Sequence, residues 1–441
     1  MDTSRIVIDT KDLISGMYVV ELDRPWLETP FVFQGFEISE KAEIDILRSH
    51  CSRVCIDTDL GSLKPEQIRE LRSAQLPGRA QTLMSGQRGV RPGRLRSWFQ
   101  DLLLRHNITW LSVGRQDESA GYPIISTMRR ESGRALAAFD AACDFHGSML
   151  QKITQNSSVD INSVRLTMRP VIDSILRNPN AMAWVIFSRK TTPEDYNRAV
   201  ATAVWCVMFG RHLAFDRQRL EDLAVGGLLL DIGNLGLPES VRGAKGDLTH
   251  QQHMLQRKHV DIGVEILRAS KGVPENVMDM VRCHQERADG SGYPAGLRGN
   301  ATPSFGRIAA VADCYDAMTS AKTYSSASGG YDAARALNDM RGKEFQPEVV
   351  EQFLRAVGMF PTGSIVELND GTAGVVLEQN PDNALRPKVL LLRDSSHEPL
   401  SSPRIKQLRD LPADATSRKA LWIVNGHPHG TFGINPRKIF S

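Results

Sequence analysis

The sequence has little net charge, no long apolar run and no regular cysteine spacing, and each absence excludes a class of protein. Its formal charge at pH 7 is +3, which is too balanced for binding nucleic acid through a basic face. Apolar runs stay well below the roughly 20 residues that a membrane-spanning helix needs, and residues 1–5 do not begin a signal peptide. We therefore expect a cytoplasmic protein with no membrane span and no nucleic-acid partner.

The six cysteines form neither a disulfide framework nor the paired spacing of a zinc ribbon. Cys51 and Cys55 are close in sequence, but no second pair follows nearby to complete a zinc site. Reduced cysteines in a cytosolic protein are the favoured interpretation.

What is present is ordinary for a globular protein, with 41% hydrophobic and 24% charged residues in a chain of 441. That length suits two or three domains. The patterns predict a mainly α protein with a small N-terminal α/β unit and a small C-terminal β-rich domain. The predicted segments are an α/β regulatory unit (1–62), a flexible linker rich in Gly, Pro and Arg (63–97), a helical connector (98–189), a helical domain (190–357) and a β-rich domain (361–441).

Local patterns predict the elements at both ends of the chain. In the N-terminal unit they indicate a strand at 17–20, a helix through Ile44 and Leu47, and a strand at 54–56. In the C-terminal domain, residues 364–377 read as a hairpin around an Asn-Asp-Gly turn, and 389–392 read as a further strand.

The connector contains helical patterns at 132–154 and 163–177, and the second has apolar residues on one face. These helices can pack on the next domain or on a second copy of the chain in a homodimer. The sequence leaves both alternatives open.

Four ionisable residues of the helical domain lie in apolar surroundings. Asp231 follows an apolar run, and Asp313 lies in the middle of an apolar helix. Thr249 and Gln252 form a capping-box pattern that starts a helix, and in that helix we expect a face made of Leu255, His259, Ile262 and Ile266. His284 continues the apolar face of a helix that opens at Pro274.

Two inward histidines and two buried carboxylates on four helices can converge on one metal ion. Imidazole with carboxylate suits Fe, Mn or Zn better than Ca. Taken one at a time, the residues have simpler explanations, because an inward His is often a hydrogen-bonded core residue. A carboxylate in an apolar helix is commonly paired with Arg or Lys, and that alternative stays open for Asp313.

The order of the motifs resembles the HD-GYP family, the branch of the HD phosphohydrolases that cleaves cyclic di-GMP. The matching stretches include Asp231-Ile232-Gly233, His284-Gln285-Glu286 and Asp289-Gly290-Ser291-Gly292-Tyr293-Pro294. The resemblance implies an HD-type helical bundle core. It also implies a metal site whose retained ligands are Asp231, His259, His284 and Asp313, with Asp231 also acting in catalysis.

Several positions depart from the family pattern. Leu230 replaces the His of the family's His-Asp pair, and Ala199 replaces an upstream His. Gln285 replaces the second His of the His-His pair. A Lys that contacts phosphate is replaced by Asn234, and a later Arg is replaced by Lys322. Leucine and alanine offer no ligand atom, and an amide is a poor replacement for imidazole on Fe or Mn.

By the same resemblance, the substrate-binding positions are Asp289, Gly290, Gly292, Tyr293, Pro294 and Lys322. Our first hypothesis is a degenerate HD-GYP protein in bacterial cyclic di-GMP signalling, catalytically impaired, that binds the nucleotide or docks signalling proteins through its Gly-Tyr-Pro loop. The alternative is a metal-dependent cyclic di-GMP phosphodiesterase with a reduced site. The site is expected to hold one Fe or Mn ion or no metal at all, and a scaffold that needs neither metal nor nucleotide is the third hypothesis.

Overall fold

The structure is a computed structural model that describes residues 5–23, 36–38, 41–58, 63, 122–156, 158–189, 197–242, 248–319, 330–380, 385–410, 421–428, 430–436 and 439. The chain divides into two compact units, residues 1–99 and 100–441. The predicted flexible linker lies almost wholly outside the described residues. The predicted domain limits within the second unit stay predictions.

The first unit contains a small antiparallel sheet and one helix. Its elements are β1 (Arg5–Asp9), β2 (Tyr18–Leu22), β3 (Phe36–Glu37), α1 (Lys41–His50) and β4 (Arg53–Asp57). The strand order is β1-β4-β2-β3, with antiparallel neighbours. The core comes from the inward faces of the sheet and of α1, where Val19, Ile56 and Leu47 are fully buried. The two predicted strands and the predicted helix are confirmed.

The second unit is mainly helical. Its helices are α2 (Met128–Asn156), α3 (Ile161–Arg177), α4 (Pro179–Arg189), α5 (Arg198–His212), α6 (Arg217–Leu229), α7 (Glu239–Arg242), α8 (His250–Arg257), α9 (His259–Ala269), α10 (Glu275–Cys283), α11 (Ser304–Thr319), α12 (Gly330–Asp339) and α13 (Pro347–Val357). Within the described residues, no helix combines the length and apolar character required to cross a bilayer.

Helix α5 is the central element of this bundle. It packs against α6, α11 and α13, and it is buried from Val200 to Gly210 because that run contains no charged side chain. The ring of Trp205 meets Tyr315 edge-on at 5.3 Å between centroids, and Phe209 meets Phe353 at 5.4 Å. Such aromatic pairs stabilise the core beyond the area that they bury.

The predicted continuous helix from Thr249 through His259 is wrong in one respect. The capping box of Thr249 and Gln252 is present, but the chain breaks at Lys258, whose N–H bonds to the carbonyl of Leu255 in a tighter turn. Nδ1 of His259 then forms a hydrogen bond with the carbonyl of Gln256, at 2.6 Å. The expected shared face is therefore lost, since α8 has no buried residue.

The C-terminal sheet contains β5 (Ile365–Leu368), β6 (Ala373–Glu378), β7 (Lys388–Arg393), β8 (Pro399–Gln407) and β9 (Ile423–His427). Its order is β8-β7-β6-β5-β9, with antiparallel pairs. Strands β5 and β6 confirm the predicted hairpin, and β7 confirms the further strand. The sheet joins the bundle at α4, where Oδ1 of Asn180 accepts hydrogen bonds from Thr362 Oγ1 at 3.0 Å and Gln379 N at 2.9 Å. The mainly α fold with small β-containing parts at both ends is confirmed.

Candidate metal centre

Asp231 and His259 meet because a glycine lets their two segments approach closely. Asp231 follows α6 and precedes a 3-10 turn (Ile232–Gly236) that packs against α9. A Cβ on Gly233 would overlap the carbonyl oxygen of His259 and the amide of Gly263. The Asp-Ile-Gly motif therefore sets the position of the carboxylate relative to the first residue of α9.

The two buried histidines face each other through their Nε2 atoms. Nδ1 of His259 lies 2.6 Å from the carbonyl of Gln256, and Nδ1 of His284 lies 3.0 Å from the carbonyl of Val281. A carbonyl only accepts, so each Nδ1 carries the hydrogen and each neutral ring presents a lone pair at Nε2. The two Nε2 atoms lie 3.2 Å apart.

Asp231 completes a group of three acceptors. Its Oδ1 lies 3.5 Å from Nε2 of His259 and 3.9 Å from Nε2 of His284, and the three ligand atoms fall within 4.8 Å of one another. Three acceptors with no hydrogen between them repel each other unless a cation lies among them. The donor set of two imidazoles and one carboxylate therefore fits one divalent transition-metal ion.

Asp313 lies beside this group but is held by other partners. Its Oδ1 accepts a hydrogen bond from Nη2 of Arg198 at 2.6 Å, and its Oδ2 accepts from Nε2 of Gln285 at 3.3 Å. Arg198 also lies 4.0 Å from Oδ2 of Asp231 and 3.9 Å from Oδ2 of Asp316. One guanidinium from α5 thus lies among three carboxylates, those of Asp313 and Asp316 on α11 and that of Asp231 before the 3-10 turn.

The electrostatics of the centre favour a negative carboxylate and neutral rings. Burial alone would raise the pKa of Asp231, but Arg198 and the nearby histidines hold that pKa below its ordinary value. Burial lowers the pKa of His284, so this ring stays neutral near pH 7. Both directions leave the acceptor atoms ready to bind a cation.

A third imidazole approaches from α2. Oδ1 of Asn197 accepts from the amide of Val200 at 3.3 Å, so its Nδ2 group points to Nδ1 of His146 at 3.1 Å. The neutral His146 ring therefore carries its hydrogen at Nε2, the opposite tautomer to His259 and His284. Burial lowers the pKa of His146, and His146 contributes to the lowered pKa of Asp231.

The loop from Asp289 to Pro294 is anchored beneath its tip. Glu286 is buried and its carboxylate accepts the amides of Ala295 at 2.8 Å and Leu297 at 2.9 Å. A Cβ on Gly292 would overlap the backbone of residues 285–287, so only glycine permits this packing. Hydrogen bonds from Ser291 lower the pKa of the exposed Asp289.

Tyr293 connects this loop to the metal-ligand candidates. Its ring meets His259 edge-on, with 6.3 Å between centroids, and the guanidinium of Arg257 lies over it, 5.0 Å from the centroid. Burial raises the pKa of Tyr293 to about 12. The loop therefore places a neutral phenol beside the buried histidines, and α8 adds the cation of Arg257.

Comparisons with known families agree with these motifs. Residues 181–349 match the family model described as an HD domain, residues 5–164 match a domain of unknown function (DUF3391), and residues 365–416 match a KOW domain associated with HD domain.

Curated relatives share the same region. The cyclic di-GMP phosphodiesterase PA4108 of Pseudomonas aeruginosa is 29% identical over 384 residues, which are 87% of this chain and 84% of that protein. A cyclic di-GMP phosphodiesterase of Thermotoga maritima is 38% identical over 128 residues, 29% of this chain and 35% of that protein. The response regulator RpfG of Xanthomonas campestris, also named a cyclic di-GMP phosphodiesterase, is 36% identical over 166 residues, 36% of this chain and 44% of that protein.

Residues 181–349 belong to the HD superfamily, and their motifs are those of its HD-GYP branch. Of the expected HD-GYP ligands, the structure brings together Asp231, His259 and His284 and leaves Asp313 in contact with Arg198 and Gln285. The roles of all four as metal ligands stay predictions at this point.

Of the positions predicted to be substituted relative to the HD-GYP pattern, four lie among the described residues. Leu230 is buried at the end of α6, Ala199 lies in the first turn of α5, and Asn234 lies in the 3-10 turn. Gln285 donates to Asp313. Lys322 lies outside the described residues.

Sequence reasoning overlooked Arg198, Asp316 and His146. Arg198 directly precedes the substituted position Ala199, and Asp316 follows Asp313 by one helical turn, which is the spacing that places two side chains on one face. These two sequence positions were the signals that could have identified Arg198 and Asp316. His146 comes from a helix outside the HD domain match, and no motif marks it.

Proposed function

We propose that this HD-GYP domain acts in bacterial cyclic di-GMP signalling in the cytoplasm by binding the nucleotide at a reduced metal site, with hydrolysis impaired. The observation that carries the proposal is the size of the ligand group. Among the described residues, only Asp231, His259 and His284 gather at metal-binding distance. Two-metal phosphodiester hydrolysis needs a second ion to stabilise the leaving oxygen, and Leu230 and Ala199 offer it no ligand.

One Fe or Mn ion fits the group that remains. A bound divalent ion would polarise a phosphoryl oxygen as a Lewis acid. The protein residues orient this arrangement, because the carbonyls of Gln256 and Val281 fix the tautomers of His259 and His284. The same bonds hold both Nε2 atoms toward Asp231.

The adjoining loop and helix α8 supply features that suit an anionic nucleotide. Arg257 is exposed and lies over the ring of Tyr293, so a guanidinium stands ready for phosphate beside an aromatic ring. Guanidinium is the side chain best matched to phosphate oxygens. The proposed nucleotide contacts of Asp289, Gly290, Gly292 and Pro294 follow from their place in the same loop.

The test is a calorimetric titration of cyclic di-GMP into the full chain loaded anaerobically with Mn(II), run beside a hydrolysis assay on the same sample. We expect binding without turnover. Arg257→Ala should weaken binding on the order of tenfold, the scale of one charge-assisted contact. Arg268→Ala, which removes an exposed arginine from the last turn of α9, should leave binding unchanged. Absence of binding, or robust metal-dependent hydrolysis by the unmodified chain, would contradict the proposal.

The second candidate is a phosphodiesterase that works with a single ion. Two imidazole nitrogens and one carboxylate oxygen gather at metal-binding distance, and this arrangement favours the second candidate. The relatives named as cyclic di-GMP phosphodiesterases favour it too. It predicts measurable turnover that His259→Ala abolishes. Background hydrolysis that persists in the His259→Ala variant would count against it.

Docking of signalling proteins through the Gly-Tyr-Pro loop stays a proposal. The loop presents Ser291 and Pro294 at the surface, whereas Gly292 is committed to packing on the backbone beneath it. A protein partner would therefore contact the tip of the loop. The test is whether Pro294→Ala changes partner binding while cyclic di-GMP binding is unaltered.

A further inference from the structure

Arg198 lies where three carboxylates would otherwise repel one another. Its guanidinium donates to Asp313 at 2.6 Å and lies 4.0 Å from Asp231 and 3.9 Å from Asp316. Asp316 is fully buried and the side chain of Asp313 is only 8% exposed. Carboxylates this close and this buried need positive charge among them.

Counting the charges of the described residues shows how much more cation they can hold. The three carboxylates are negative, Arg198 supplies one positive charge, and His259 and His284 are neutral rings. A single divalent ion brings the group to neutrality. A second divalent ion would leave an excess of two positive charges in a partly buried site, which is costly without further acidic ligands.

The hydrogen bonds of the centre also compete with a second ion for the carboxylate oxygens. Both oxygens of Asp313 accept hydrogen bonds, from Arg198 and from Gln285. Oδ1 of Asp316 accepts from Nε1 of Trp205 at 3.1 Å. Gln285 therefore acts as a donor to a carboxylate, where an imidazole would face the metal site.

We propose that the guanidinium of Arg198 takes the place of a second metal ion, so that the centre holds one divalent cation on Asp231, His259 and His284. This inference rests on the reduced metal site of the proposed function and names the residue that limits it. Arg198 is a positioning residue in this scheme, because it fixes Asp313 and balances charge instead of binding the ion.

The experiment counts Mn(II) bound per full-length chain by anaerobic calorimetry and elemental analysis, in the absence of nucleotide. The wild-type chain should bind one ion. An Arg198→Ala/Gln285→His double variant frees Asp313 and adds an imidazole, and it should bind a second ion with the magnetic coupling of a manganese pair in its EPR spectrum. Arg242→Ala, which removes an exposed arginine paired with Glu239, is the matched control and should bind one ion.

A second readout covers the case in which the double variant folds poorly. Arg198→Lys keeps one positive charge but loses the bridging fork of the guanidinium. Without metal it should unfold at a lower temperature than wild type, and saturating Mn(II) should raise its unfolding temperature by more than it raises that of wild type. Equal rises in the two proteins would contradict a charge-balancing role for Arg198.

The metal count separates this inference from the proposed function. Two ions per wild-type chain, no ion at all, or an unchanged count in a folded double variant would overturn the role of Arg198. A chain that binds one ion but no cyclic di-GMP would leave Arg198 as proposed and reject nucleotide binding.

Discussion

The Nε2 atoms of His259 and His284 lie 3.2 Å apart, and each ring already donates its Nδ1 hydrogen to a backbone carbonyl. Neither Nε2 can donate to the other while both rings are neutral. Burial keeps the pKa of His284 low, so adding a proton is an unfavourable way to relieve the contact. A cation shared with Asp231 relieves it without protonation.

Removal of either imidazole should therefore remove the metal. We expect His259→Ala or His284→Ala to weaken Mn(II) binding by roughly 100-fold or more, beyond the usual effect of losing an outer partner of a ligand. Anaerobic calorimetry measures the change. His253→Ala, an exposed histidine of α8, is the control, and equal losses in all three variants would show that the ion binds elsewhere.

Gly233→Ala should disturb the centre without touching a ligand. Its Cβ would overlap the carbonyl of His259, so the 3-10 turn must move away from α9 and carry Asp231 with it. We expect weaker Mn(II) binding with the helical content preserved, measured by calorimetry and circular dichroism. Gly236→Ala is the comparison, because its Cβ would meet only the side chain of Ile262, and an effect as large as that of Gly233→Ala would refute the backbone argument.

Gly292→Ala should displace the loop that carries Tyr293. The added Cβ would overlap the backbone of residues 285–287, and we expect cyclic di-GMP binding to fall more than Mn(II) binding does. Both are measured by titration calorimetry on the same protein. Gly133→Ala in α2 has no atom within 4 Å of its Cβ, so it should leave binding unchanged and stabilise the helix by up to about 1 kcal/mol.

The buried pair of Glu131 and Arg177 should make stability depend on pH in the acid range. Burial would raise the pKa of Glu131, yet the hydrogen bonds from Arg177, as short as 2.7 Å, hold it below its ordinary value of 4.5. The folded state thus binds this proton more weakly than the unfolded state does. The stabilisation is present above pH 4.5 and is lost as the pH falls through the folded pKa.

Urea unfolding measures this contribution. At neutral pH, Arg177→Ala should lower the free energy of unfolding by about 3 kcal/mol, because it leaves the Glu131 carboxylate buried and unpaired. The difference from wild type should shrink in acid. Arg242→Ala breaks an exposed pair with Glu239 and should cost less than about 1 kcal/mol. A difference for Arg177→Ala that stays constant with pH would contradict the argument.

Apolar periodicity was sufficient to place one of the key side chains. It predicted that His284 continues the buried face of Val277, Met280 and Val281, and all four are buried. His259 is buried as predicted, but not on the face from which its position was predicted. It also predicted the hairpin of β5 and β6, whose turn residues act locally. Interactions that form within a few residues are readable from a single chain.

The partners of Asp313 were not readable in the same way. Pairing with an Arg or Lys was one open alternative, but Arg198 lies 115 positions away in sequence, and only the crossing of α5 with α11 brings the two together. The break at Lys258 was missed because it accompanies a hydrogen bond between the His259 ring and the carbonyl of Gln256. Side chains that compete with backbone hydrogen bonds change helix limits without changing the apolar pattern.

The contact between His146 and Asn197 has a consequence for how the protein can be divided. His146 belongs to α2, which lies before the HD domain match at residues 181–349, yet α2 packs against the turn that follows Asp231. A fragment cut at the start of the family match would leave Asn197 without its imidazole and uncover that turn to water. The segment that matches the HD domain is therefore shorter than the segment that must be expressed to study the chemistry of the site.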